Sequence, residues 1–286
     1  MKTIDIMLLL LINLLWGGCY IVTKEMLYLV KPLTLAALRF TVVAGCLLPY
    51  LKKPQIKLPN LLLTAVMLSV GHIYLSQVVL DSGMAVSTMV VILELGVPLT
   101  SVFTYFMLNQ SFTRYHLLGF VLAILATMVI FGTPEVLSNI TPALLAVVSS
   151  LTIAYVNVFI TKHQQIDVSQ MVGWLAVLST PVMWLLAFAY GEHITMSMLF
   201  NTKLILGLIF LSVISVVFAE VKFYDLMRQY TVNKVVIFLV LVPVSGVIMS
   251  WLFYNEVLGR YFWLGFAVMI ASIMAVFYAD RRLNQE

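Results

Sequence analysis

Long apolar runs separated by short polar gaps set the pattern of this chain. A helix needs about 20 apolar residues to cross roughly 30 Å of hydrocarbon. Runs of that kind fall at 5–23, 33–51, 60–80, 85–107, 115–132, 141–161, 170–190, 203–221, 232–254 and 261–279. They predict ten transmembrane helices. The gaps hold turn formers and charges, as in Lys52-Lys53-Pro54, Thr133-Pro134-Glu135 and Tyr190-Gly191-Glu192. None is long enough for a soluble domain, so the expected fold class is an all-α integral membrane protein.

Composition sharpens this reading. Apolar residues make up 63% of the chain and charged residues 10%, with a mean hydropathy of +1.08. A soluble domain has about 45–50% apolar and about 25% charged residues, so the excess has to face lipid. The formal net charge is +4, but the basic residues are scattered through the gaps. That distribution orients a membrane protein and makes no nucleic-acid patch.

With the N-terminus placed in the cytoplasm, the inside segments collect Lys2, Lys52, Lys53, Lys57, Arg114, Lys162, Lys222, Arg228, Lys234, Arg281 and Arg282. The outside segments hold Lys24, Lys31, Lys203 and Arg260, and Arg39 lies inside a span. Eleven against four is a positive-inside bias. It predicts cytoplasmic N- and C-termini in a multi-pass protein of the cytoplasmic (inner) membrane. The first run continues through Val22 and carries Trp16, which reads as an uncleaved span rather than a signal peptide. Cys19 and Cys46 both lie within apolar runs, which supports neither a disulfide framework nor a cysteine metal site.

The chain also resembles itself. Asn109-Gln110-Ser111-Phe112-Thr113-Arg114-Tyr115-His116-Leu117-Leu118-Gly119-Phe120 aligns with Asn255-Glu256-Val257-Leu258-Gly259-Arg260-Tyr261-Phe262-Trp263-Leu264-Gly265-Phe266, with six of twelve positions identical. Pro98 pairs with Pro243, and Val22-Thr23-Lys24 with Ile160-Thr161-Lys162. This predicts a duplicated unit, 1–135 and 136–286, with five helices in each copy. An odd helix number makes the second copy enter from the opposite side, the inverted repeat from which alternating-access carriers are built.

Leu15-Trp16-Gly17-Gly18, then Lys24, Pro32 and Leu38-Arg39-Phe40, resembles the opening of an EamA-type repeat of the drug/metabolite transporter superfamily. The Pro98 and Pro243 helices, and Glu256 followed by Gly265, resemble the close of such repeats. Gln110 departs from the glutamate often found there. The resemblance implies ten helices, cytoplasmic ends and a central cavity reached alternately from either side. Its members carry amino acids, nucleotide sugars, cations, drugs and other metabolites, so it does not transfer a substrate.

Several residues place polar chemistry within the spans. Glu94 falls near the middle of the fourth, where a charge costs at least about 2.5–3.5 kcal/mol; it should face the protein interior and pair, titrate or hold a substrate amine. Pro98 frees the Glu94 carbonyl from the helix ladder, and Ser101 and Tyr105 continue the same face. Asn13, Trp16, Tyr20 and Lys24 form a stripe on the first span, where Trp16 suits a planar or cationic substrate. His72, Tyr74 and Gln77 on the third span, Tyr155 and Asn157 on the sixth, and Glu220 and Tyr224 on the eighth are further substrate or coupling candidates. Glu220 and Asp225 have an alternative, pairing with Lys222 and Arg228 at the surface. Arg39 reads as a structural clamp on the outer helix ends, with gating second, and Pro98 and Pro243 as structural breaks.

No phosphate-cradling GxxxxGK[ST], HExxH or GxSxG occurs. The expectation is therefore a secondary transporter for an amino acid, amine or related metabolite, not an enzyme, with no cofactor or metal. Its partners are a small-molecule substrate and the bilayer, with protons, and the choice of monomer or homodimer, left open. The alternatives are an intramembrane hydrolase using Glu94 and His72, or a non-transporting scaffold.

Overall fold

The computed structural model describes residues 1–109, 111–230, 235 and 237–283, and within them every regular element is helical. The long helices are α1 (Thr3–Leu27), α2 (Pro32–Leu47), α3 (Leu58–Asp81), α4 (Val86–Leu108) and α5 (Arg114–Phe131), then α6 (Ile140–Lys162), α7 (Val168–Ala189), α8 (Thr202–Met227), α9 (Leu241–Tyr254) and α10 (Arg260–Leu283). Among the described residues nine helical stretches are long and apolar enough to cross a bilayer. The remaining apolar helix, Phe238–Tyr254, is shorter. The expected span 232–254 begins among residues outside the described set. Exposed Met7, Leu14, Met128, Leu185 and Leu252 make a lipid-facing surface rather than a solvated one.

Local chemistry explains where the helices start, break and stop. Proline occupies the first turn of α2 and α3, where a missing N–H costs nothing. Asp167 accepts from the Ser169 N–H to open α7, and Asn201 from the Leu204 N–H to open α8. The expected helix 85–107 is interrupted. Residues Val86–Leu93 and Gly96–Leu108 form separate helical pieces, because Pro98 has no N–H to return to Glu94. The Val97 N–H donates to the Glu94 carbonyl instead, at 3.0 Å.

Two unforeseen segments have π-helical pairing, Met67–Tyr74 within α3 and Ile209–Glu220 within α8. Such bulges redirect side chains and often mark functional sites.

The packing between helices comes in matching sets. α1 packs on α9 as α6 packs on α4; α1 packs on α8 as α6 packs on α3; α2 meets α7, and α5 meets α10. Asn109 and Asn255, which end α4 and α9, are the non-glycine residues with positive φ among those described, at 52° and 49°. After each comes an arginine over the following tyrosine ring, Arg114 on Tyr115 and Arg260 on Tyr261. Then come the glycines of the α5–α10 crossing. A Cβ on Gly119 would lie 2.7 Å from Val276, and one on Gly265 would lie 2.6 Å from Ile130. Only a residue without Cβ lets these backbones approach so closely, and Ser272 uses the approach to donate to the Gly119 carbonyl at 2.6 Å.

Candidate functional site

The start of α1 and the end of α10 define what we term the terminal end of the bundle; the other end is distal. At the distal end, carboxylates close helix N-termini contributed by other parts of the chain. Glu192 accepts from the Thr34 N–H and hydroxyl at 2.8 and 3.0 Å, capping α2. Glu256 accepts from the Val86 and Ser87 N–H groups at 2.8 and 3.2 Å and from the Ser87 hydroxyl at 2.5 Å. Glu135 accepts from the Ala85 N–H and the Thr88 hydroxyl beside them. Negative charge at these positions satisfies orphan donors and the positive end of the helix dipole. Lys203 pairs with Glu25 at 2.7 Å, Tyr254 donates to Glu25 at 3.0 Å, and Lys24 lies over the Tyr254 ring. These contacts tie α1, α8 and α9 together at the same end.

The terminal half is different. There α2, α3, α6, α7 and α8 surround a cavity with about 670 Å³ of empty space including its mouth. Its walls are largely aliphatic, and its polar lining residues are Arg39, Asn157 and Glu220. Arg39 donates to the Leu211 carbonyl at 3.4 Å, a long bond that leaves most of its fork unused. Among the described residues, neither Arg39 nor Glu220 has an oppositely charged partner within 4.0 Å. The two attract one another across a wider gap. Asp225 pairs with Lys222 at 3.7 Å at the surface, and Glu220 does not join it. The π segment of α8 ends on Glu220, which places that carboxylate on the cavity wall.

Of the other expected site residues, Asn157 lines this cavity, whereas His72, Tyr74, Tyr155, Trp16, Asn13 and Gln77 are not among its lining residues. His72 and Ser149 join α3 to α6 through a 2.9 Å bond, and Ser76 bonds Ser149 at 3.0 Å and the His72 carbonyl at 2.6 Å. Ile73 and Tyr74 both pack against the apolar cluster of α2 and α7, and Ile73 also lines the cavity. Asn157 reaches Thr100 at 3.4 Å, and Tyr155 stacks on Phe159. Trp16 donates to the Ser215 carbonyl at 3.1 Å and meets Phe223 edge to face, so it joins α1 to α8. Asn13 is buried with its Nδ2 donating to the Leu9 carbonyl; among the described residues its Oδ1 has no partner, and buried Gln77 has none for either amide atom.

Tyr20 packs against the core of the α4–α9 side, and Glu94 sits half-buried at the break in α4. Pro98 and Pro243 are buried, while Tyr105 is 46% exposed. The Tyr224 side chain, the Arg228 side chain, Gln110 and Lys234 lie outside what the structure describes.

The sequence model of the EamA-like transporter family matches this chain twice, over residues 3–132 and 140–278. The chain belongs to the EamA-like transporter family. It is thus a multi-pass membrane protein and a small-molecule transporter. It is 25% identical over 265 residues to a protein of Salmonella typhimurium strain LT2 named "Probable amino-acid metabolite efflux pump", spanning 89% of this chain and 88% of that one. A solved crystal structure with 15% sequence identity superposes with a TM-score of 0.67, over 99% of this chain and 100% of the other. That likeness shows the fold alone.

Within this EamA fold, the three distal caps were hidden in the sequence. Thr34, Ser87 and Thr88 at the starts of α2 and α4 are the signal that could have exposed them, because hydroxyl residues there invite a carboxylate partner.

Proposed function

We propose that this EamA-like protein is a secondary transporter of an amino acid, an amine or a related metabolite, working by alternating access. Residues 1–135 and 136–286 act as two inverted five-helix repeats. The matching packing sets, the paired left-handed asparagines and the paired crossing glycines support that arrangement. The N- and C-termini face the cytoplasm, a reading supported by the charge asymmetry of the loops.

The observation that carries the mechanism is the contrast between the two ends. A cavity with charged lining occupies the terminal half, while carboxylate caps and the Glu25 network bind the distal helix ends to one another. Substrate enters from the cytoplasm in this state. Release on the other side requires the distal contacts to separate as the cavity closes. Glu94, at the break in α4, is the proposed coupling carboxyl, since a helix break within the membrane lets backbone and side chain rearrange at one point.

Sealed proteoliposomes loaded with unlabelled L-leucine and given a trace of labelled L-leucine outside test this. Counterflow is expected. Absence of counterflow for amino acids, amines and organic acids alike would overturn the assignment. Glu94→Gln should keep counterflow and lose accumulation driven by an imposed pH gradient. Wild-type accumulation in that variant would remove Glu94 from coupling.

A further inference from the structure

The cavity is lined by an arginine and a glutamate that are not paired at close range. Removing charge from water is costly inside a membrane protein, and buried ions are normally paired at close range. Arg39 has one long bond to a backbone carbonyl, and Glu220 faces it from another helix with no cation within 4.0 Å among the described residues. Neither is held by the helix-capping geometry that engages Glu192, Glu256 and Glu135. Both are positioned deliberately: Arg39 by the α2–α8 contact, in which Ser212 donates to the Arg39 carbonyl at 3.3 Å, and Glu220 by the π segment of α8.

The geometry points to a two-point clamp for an α-amino acid: Arg39 receives the substrate carboxylate, Glu220 its ammonium, and the cavity walls an apolar side chain. This assignment rests on the transport reading above and names the substrate class for its site. A zwitterion supplies what each residue lacks, in one molecule. It offers a charge-assisted hydrogen bond to each of the two side chains. Arg39 is well suited to its half, because a guanidinium fork matches a carboxylate with two parallel bonds.

The walls determine the rest. Phe40, Val43, Leu68, Ile73, Val172 and Leu175 offer no polar atom to a substrate side chain. A leucine-like or phenyl side chain gains contact there, whereas a charged one would be desolvated with only the Asn157 amide to meet it.

A simple amine would leave Arg39 unanswered, and a simple acid would leave Glu220 unanswered. The site therefore discriminates by requiring both groups, in the way buried polar groups reject analogues that cannot pair with them.

Binding to the full-length purified protein tests this with four probes: L-leucine, isopentylamine without the carboxylate, 4-methylpentanoate without the ammonium, and glycine without the side chain. Wild type should bind L-leucine at least about thirtyfold more tightly than isopentylamine or 4-methylpentanoate, the scale of leaving one member of a buried charge pair unpartnered. Glycine should bind at least about tenfold more weakly than L-leucine, from lost apolar burial.

Arg39→Gln should lose L-leucine affinity while leaving isopentylamine unchanged or improved. Glu220→Gln should lose L-leucine affinity while leaving 4-methylpentanoate unchanged or improved. A merely structural ion pair would not produce that exchange. If either variant fails to fold, the wild-type series still decides. Equal affinity for L-leucine and the two single-charge probes would overturn the clamp, as would binding of none of the four by wild type. Transport of a different solute in proteoliposomes alongside such a result would leave the transport function standing, and loss of all counterflow would remove both.

Discussion

The distal end and the terminal half of this bundle use the same kinds of charged residue in opposite ways. Glu192, Glu256 and Glu135 accept from backbone N–H and hydroxyl groups at the starts of α2 and α4, so their charges are satisfied within the protein. Arg39 and Glu220 line an apolar cavity and lack close partners of opposite charge among the described residues. A satisfied charge fixes a helix end, whereas an unsatisfied one is available to a ligand. In an alternating-access carrier these are the parts expected of a closed gate and an open binding site, and here they lie at opposite ends.

The largest expected effect comes from the α5–α10 pair, whose distal ends adjoin Glu135 and Glu256. Gly265→Val places branched carbons against Ile130 and the Ala126 carbonyl, where a single Cβ would already be 2.6 and 3.1 Å away. Overpacking of this kind costs about 1–3 kcal/mol, and the added β-branch raises the cost here. Thermal unfolding in detergent should show a clear fall in Tm, and an unchanged Tm would mean that α5 and α10 are not closely crossed.

Glu256→Gln comes next. It removes the charge while keeping an acceptor, weakening bonds to Val86, Ser87 and its hydroxyl at the start of α4. A cap of this type is worth about 0.5–2 kcal/mol. If the contact belongs to the gate of the proposed alternating-access cycle, the variant should favour the distally open state. A spin-label pair on Tyr28 and Val257 should show an increased population of longer distances. No change in that distribution would separate the cap from gating.

The smallest effect belongs to Lys203→Met. Lys203 is exposed and Glu25 partly so, and exposed ion pairs contribute about 0–1 kcal/mol. Stability should hardly change, with Tyr254 still donating to Glu25. A large loss would show that the distal end depends on this pair far more than its exposure implies.

Much of the fold was legible because hydropathy reports lipid contact directly. The ends of α1 to α8 fall close to the apolar runs, and the interruption of α4 could be read from Pro98 by asking which carbonyl loses its donor. The paired helix ends at Asn109 and Asn255 and the paired crossings at Gly119 and Gly265 were legible, since left-handed caps and close crossings admit few residue types. The π segments were not, because nothing in Met67–Tyr74 or Ile209–Glu220 marks a change of hydrogen-bond register.

The cavity was less legible still. Val43, Leu68 and Val172 look the same in sequence whether they face lipid, a neighbouring helix or a hollow. Arg39 was expected at the helix ends and Glu220 was given a surface alternative, since no periodicity relates two residues on α2 and α8. Only the packing of those helices brings them to one cavity. Trp16 illustrates the converse: its stripe on α1 suggested a lining residue, and its indole bonds the Ser215 carbonyl between helices.

The most direct measurement is sided labelling of the cavity wall. Val216→Cys, in a protein with Cys19 and Cys46 replaced by serine, is reconstituted in sealed vesicles and exposed to a membrane-impermeant thiol reagent from one side at a time. Labelling should come from the side carrying the chain termini and should slow in the presence of L-leucine, while the opposite side gives little. Labelling from the distal side alone, or labelling that L-leucine leaves unchanged, would contradict a substrate cavity open at the terminal end and closed at the distal one.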